Sequence, residues 1–266
     1  MPQDKRPDAK PKKHPELWQS CQWLDEFREM RKRHTLRISS AERGKSNLIP
    51  AFEREMLERF ELDKTIKEIR KLMIHYGQEV GPVWDWLTSI KGLGAGSLAA
   101  ELLSHFDDVA LYATVSKFWR FSGWAVIDGK IDRCTKGEKS HYNRRLKATC
   151  FLIADQFVRQ QTPLYADIYY AEKDRQKQLH PEPICKTCGA VGVQVGKNWK
   201  CTKCKATGFG LSFTPAHVDK RAKRKMIKIF LQHLWVIWRE SEGLPVSEPY
   251  VQAMLGHTNI VEPSIV

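Results

Sequence analysis

Apolar positions recur along this chain at helical spacing, with charge filling the gaps. From Pro15 onward Leu17, Trp18, Cys21, Leu24 and Phe27 fall on one face, the three- and four-residue repeat that buries a helical stripe. Between Ala51 and Tyr76 the positions Phe52, Met56, Phe60, Ile66, Ile69, Met73 and Tyr76 repeat in the same way, and Glu, Arg and Lys alternate opposite them. This predicts one long amphipathic helix. It either forms a coiled coil, antiparallel or between chains, or packs on its own domain. Ser39 to Pro50 reads as a loop, and Gly81-Pro82 ends the long helix. Phe106 to Tyr112 is a short connection. Further on the pattern predicts a short helix at Ser116–Gly123 and an exposed loop or ribbon over 124–142. A helix follows from Tyr142 to Gln161 with Leu146, Cys150, Ile153, Ala154 and Phe157 inward. The last long helix, Val218 to Trp238, carries Ala222, Met226, Ile229, Phe230, Leu234 and Ile237 as its buried stripe, and Val251–Leu255 adds a short helical turn. Strand-like residues are confined to Val191, Val193, Val195 and Trp199. The fold class is mainly α, with an N-terminal long-helix, coiled-coil-like region and a small inserted β module.

One stretch stands apart. Trp86 to Leu103 reads WLTSIKGLGAGSLAAELL, two helices joined by Gly92-Leu93-Gly94-Ala95-Gly96. Three glycines in five residues permit positive φ and a close approach of the backbone to a surface. Leu93 between them would plug the core. The amides of the turn, Gly92 to Gly96, and of the helix start at Ser97 would then face an anion, and Lys91 would add a charge. This is the pattern of a helix-hairpin-helix that grips a nucleic-acid phosphate. The plainer alternative is an αα-hairpin whose glycines only let two helices pack closely.

Charge favours the first reading. Lys and Arg number 44 against 31 Asp and Glu, a formal net charge of +13. That excess points to a polyanion, because phosphate neutralisation releases counterions. The cations cluster. Lys130, Arg133, Lys136, Lys139, Arg144, Arg145 and Lys147 face only Asp132 and Glu138. Lys220, Arg221, Lys223, Arg224, Lys225 and Lys228 crowd nine residues. Both groups lie near helix starts, where the dipole disfavours cations, a conflict that a polyanion would relieve. A solvated charged surface remains the bland alternative.

Four of the seven cysteines form Cys185-x-x-Cys188 and Cys201-x-x-Cys204. Two such knuckles close a tetrahedral Zn²⁺ site, and four thiolates leave no open position, so the zinc is structural. Rubredoxin-like iron binding is the minor alternative. Lys186, Lys200, Lys203 and Lys205 would let this zinc ribbon touch nucleic acid itself. The first fourteen residues, Pro- and Lys-rich, read as a disordered basic tail without a secretory signal. No apolar run spans a bilayer. The expected location is the cytoplasm, at the nucleoid, with no membrane partner.

Taken in order, WLTSIKGLGAGSLAAELL, FWRFSGWAV, KGEKSHYNRRLKATCFLIADQFV and AHVDKRAKRKMIKIFLQHLW resemble the C-terminal transposase domain of the IS-110/IS-116/IS-902 insertion-sequence transposases. The resemblance covers about residues 84–170 and 216–240. It implies domains at 15–80 (helical linker), 81–180 (helix-hairpin-helix transposase-like), 181–212 (zinc ribbon insertion) and 213–266 (closing basic helix and tail). It also implies DNA transposition or recombination by an oligomer, with DNA and, in some members, a guiding structured RNA as partners. Those transposases pair a RuvC-like nuclease domain with a serine nucleophile on a Ser-Gly-rich turn. This chain has no RuvC-like part. Its turn, Ile127-Asp-Gly-Lys-Ile-Asp-Arg-Cys-Thr, lacks the matching serine. Ser122 and Ser140 flank the position, and Thr135 lies within it. A displaced hydroxyl nucleophile there is one expectation. A non-catalytic nucleic-acid-binding module, architectural, regulatory or a subunit of an RNA-guided complex, is the other.

Overall fold

A computed structural model describes residues 11–94, 96–127, 130–131, 137 and 140–246. They are mainly helical, with strands only in small two-stranded antiparallel sheets.

Proline sets several helix starts. α1 (Pro15–Glu42) and α2 (Pro50–Arg59) precede α3 (Leu62–Gln78) and α4 (Pro82–Ser89). α1, α2 and α4 each open on a proline, whose missing N–H and fixed φ suit a first helical turn. α5 (Ser97–Phe106), α6 (Val115–Phe121), α7 (Arg144–Gln160), α8 (Tyr165–Leu179) and α9 (Pro215–Ser241) follow. Asn143 caps α7 through the amides of Arg145 and Leu146, and Thr214 caps α9 through that of His217.

The long helix expected over 51–76 is two. Glu61 sits in the left-handed region at φ 46° and ends α2 before α3 begins. The first half of the predicted stripe is not buried: Phe52 is 56% and Phe60 61% exposed. Ile66, Ile69 and Met73 of α3 join the same core cluster as Leu17, Cys21 and Leu24 of α1. The pair is antiparallel, since Arg31 reaches Asp63 at 2.7 Å while Trp23 shares a cleft with Ile69, Leu72 and Tyr76. The helix pairing therefore closes within one chain.

From there the body builds by successive contacts of α3 with α5, α5 with α7, α7 with α9, and α9 with α8. Buried Glu101 of α5 takes both guanidinium nitrogens of Arg28 at 2.8 and 2.9 Å, tying α1 to the centre. Aromatic rings fill the rest. Phe106 stacks on Phe118 at 3.7 Å, and Trp86 lies parallel to Phe230 at 6.0 Å, which seats α4 on α9. The α9 stripe is wider than expected. Ile227, Leu231, Trp235 and Trp238 are fully buried, whereas Ile229 and Ile237 sit half-buried at its border. α8 has no counterpart in the apolar pattern, because its inward stripe is Tyr165, Tyr169, Glu172 and Gln176.

Val126–Ile127 (β1) pairs with Lys130–Ile131 (β2) as a short ribbon inside 124–142. The Cys-rich module is built from β3 (Ile184–Cys185), β4 (Gly192–Val195), β5 (Asn198–Cys201) and β6 (Leu211–Ser212), pairing β3 with β6 and β4 with β5. The expected turn at 251–255 and most of the basic tail lie outside the described residues.

Candidate metal centre and nucleic-acid interface

The four cysteines converge. Cys185 and Cys204 sulfurs lie 3.5 Å apart, Cys188 and Cys201 3.4 Å, and Cys188 and Cys204 3.7 Å. All four Sγ atoms fall within 4.8 Å of one another. A tetrahedral ion with metal–sulfur bonds of about 2.3 Å needs sulfur–sulfur edges of about 3.8 Å, so this cluster could hold a metal ion. Backbone N–H groups favour the thiolate at two of the four cysteines, whereas neighbouring thiols push Cys188 and Cys204 up. The N–H groups of Cys188 and Thr187 draw the Cys185 thiol down to about 6. The Lys203 N–H, 3.3 Å from the Cys201 sulfur, lowers that thiol too. A Cβ on Gly192 would lie 1.9 Å from a Leu211 methyl, so any larger residue there displaces the Leu211 side chain.

The 90–96 turn is shaped as its glycines suggest. Gly92 and Gly94 adopt φ 97° and 46°. A Cβ on Gly96 would approach the Leu93 carbonyl oxygen to 2.8 Å. Leu93 is 4% exposed and belongs to the main core. Thr162 donates to the Lys91 carbonyl at 2.7 Å and pins the turn to the end of α7. The Leu93 and Gly94 amides bond back to Ile90 O and the Gly96 amide to Leu93 O at 3.2 Å, so these turn amides close the bend instead of facing outward, which corrects the expectation for them. Gly96 gives α5 no side-chain cap, so the amides of its first turn keep no side-chain acceptor. The Lys91 side chain is exposed, and Gly92 and Gly94 are half-buried.

The basic clusters do not gather beside this turn. Gly92 packs near Gln160 and Thr162, whereas Arg144 and Arg145 open α7 sixteen residues earlier, about 24 Å away along the helix. Tyr165, just past Thr162, contacts His233 at 3.0 Å. Arg221 lies twelve residues back along α9, about 18 Å. Several cations are also committed elsewhere. Arg145 pairs with Asp25 at 2.7 Å and Lys147 sits 4.2 Å from the Tyr142 ring centroid. Lys223 bridges Asp155 and Asp219, and Lys225 pairs with Glu172 at 3.0 Å. These are brackets between α9 and its neighbours, which correct the expectation of six phosphate-facing cations.

Arg221, Arg224 and Lys228 differ. They share one face of α9 with His217 and lie half-buried. Arg221 stands 5.2 Å from the Phe213 ring and Lys228 4.0 Å from the Trp119 ring. Burial, with Arg221 nearby, holds Arg224 below the usual guanidinium range, and burial with Arg224 does the same to Lys228. Arg144 and Lys220 are exposed. Ala95, Arg133, Lys136 and Lys139 lie outside the described residues, as does the Lys130 side chain.

Neither serine is presented as a nucleophile. Ser122 is fully buried at the end of α6 and donates to the Trp119 carbonyl at 3.0 Å, which closes it to a phosphodiester in this conformation. Ser140, half-buried, donates to the Tyr142 carbonyl at 2.8 Å. Sequence reasoning passed over Lys197 and His217, which line a cleft beside the Cys-rich module. Their spacing across β5 and α9 gives no motif.

Comparison with models of protein families, with curated proteins and with solved structures yields no match. Among the described residues no helix is long and apolar enough to cross a membrane.

Proposed function

We propose that this chain binds nucleic acid by its phosphate backbone, as a relative of insertion-sequence transposases. The observation that carries the reading is the turn at 90–96. Core-anchored Leu93 holds a glycine bend at the surface, Lys91 stands beside it, and the first turn of α5 has no side-chain cap. Helix N-termini of this kind accept anions, and a helix-hairpin-helix uses them on DNA. Arg144 and Arg221, about 24 and 18 Å along their helices from residues beside the turn, would add further contacts, a spread suited to a duplex several base pairs long rather than to one isolated phosphate. Zn²⁺ in the four-cysteine site would hold the module as a zinc ribbon, with a structural role. DNA in transposition or recombination is the partner the resemblance favours, a structured RNA the alternative, and the expected form is a homo-oligomer.

The burial of Ser122 favours the second reading, a non-catalytic binding module, over an enzyme that joins DNA through that hydroxyl. The test is a salt titration of binding to duplex DNA and to structured RNA. The account expects affinity to fall linearly in log–log form, with a slope near −0.9 per neutralised duplex phosphate. Binding indifferent to salt would refute it. A covalent protein–DNA adduct on supercoiled substrate would restore the enzyme reading.

A further inference from the structure

A cleft of about 510 Å³ opens between β5 and the first turn of α9, within the range of ligand sites. Lys186, Lys197, Asn198, Trp199, His217 and Lys220 are in its walls, and none of its lining residues is acidic. Three lysines thus line the same cleft as one half-buried indole. The Trp199 backbone is fixed by strand pairing. It lies opposite Gln194 in the β4–β5 ladder, two residues before a cysteine of the metal cluster. The same indole borders a second cleft with Pro183 and Phe213, so it forms the partition between the two. Beyond it, Phe213 stacks on His217, and His217 returns to the first cleft.

An aromatic platform ringed by lysines is what proteins use for unpaired bases. The ring offers a π face to the base, and the cations follow the backbone. A duplex keeps its base faces stacked and cannot use such a platform. We propose that this cleft binds one unpaired nucleotide, its base stacked on Trp199 and its phosphate against Lys186, Lys197 and Lys220. The assignment rests on the reading of the chain as a nucleic-acid binder, and adds to it a preference for single-stranded segments. The nucleotide belongs either to a strand or to a free mononucleotide, which share this chemistry.

The test uses the full, metal-loaded chain and its Trp199→Ala and Trp199→Phe variants. Anisotropy measures binding to a labelled single-stranded oligothymidylate, to the same strand made abasic, and to a duplex. Calorimetry measures binding of thymidine monophosphate. Trp199→Ala is expected to weaken binding to the oligothymidylate about 5- to 150-fold, the range of one stacked base. Trp199→Phe should retain most of that affinity. Duplex and abasic strand should bind all three proteins alike. Unchanged metal content shows that the module stays folded. Thymidine monophosphate bound by the parent and lost in Trp199→Ala names the free nucleotide as the source, and its failure to bind leaves the strand. Equal single-strand affinity in parent and Trp199→Ala, or equal losses on intact and abasic strands, overturns the assignment while tight duplex binding leaves the broader function standing. Absence of all binding overturns both.

Discussion

Removing the metal should unfold the Cys-rich module and spare the helical body. Among the described residues of 184–212, Cys185, Cys201 and Leu211 are the buried apolar side chains, and none belongs to the main core. Val191, Val193 and Val195 are 39%, 44% and 48% exposed. Leu211 alone contributes about 1.5–3 kcal/mol of burial, whereas zinc on four thiolates contributes ~10–16 kcal/mol in small zinc modules. The metal term dominates by several-fold, so the stripped module has almost nothing to hold it. The body has its own core from Leu17 to Trp238 and does not depend on the ion. Chelated protein, or Cys201→Ser, is therefore expected to be cut rapidly by trypsin at Lys197, Lys200, Lys203 and Lys205. Its helical circular dichroism should stay nearly constant. A metal-free chain that resists cleavage there would refute the reasoning, and so would a collapse of the helical signal together with the module.

Two further predictions concern the body. Glu101→Ala leaves the Arg28 guanidinium without its bidentate partner; because the Arg28 side chain is 31% exposed, the cost falls at the low end of the ~3–5 kcal/mol for breaking a buried pair, and a urea-denaturation loss under 1 kcal/mol would contradict it. Burial holds His105 at about 4 against an ordinary 6.5, so the native state keeps it neutral while the unfolded chain protonates. Its contribution is present above pH 6.5 and is lost as pH falls towards 4, about 3 kcal/mol in all at ~1.36 kcal/mol per unit. His105→Gln should flatten the stability profile between pH 6.5 and 4.5 apart from what His14, also depressed by burial, contributes; an unchanged slope would remove His105 as the cause.

What the sequence made legible follows from which forces are local. Pro15, Gly81-Pro82, the 90–96 glycines and the paired C-x-x-C knuckles act within a few residues, and the helix start at Pro15, the break at 81–82, the bend and the cysteine cluster stand where they predict. α8 escaped because its buried stripe is made of Tyr165, Tyr169, Glu172 and Gln176. Tyr169 and Glu172 find partners far along the chain, Asp219 and Lys225, whereas Gln176 donates to nearby Glu172 and its Oε1 has no partner among the described residues. The break at Glu61 carries no glycine or proline to announce it. The fate of the cations was equally out of reach. A run such as 220–228 looks uniform in sequence, yet helical geometry sends Lys223 and Lys225 to carboxylates on α7 and α8 while Arg221, Arg224 and Lys228 keep another face.

Gly94 stands where the proposed phosphate contact at the glycine bend would be made. Its φ of 46° lies where Asn and Asp are tolerated, and an added Cβ meets no atom within 4 Å. Gly94→Asn and Gly94→Asp should both fold, differing only in charge. Unit charges 4 Å apart interact by about 1 kcal/mol even in bulk water. The account predicts that duplex affinity at low salt falls at least about fivefold for Gly94→Asp relative to Gly94→Asn. Equal affinities for the two folded variants would contradict it.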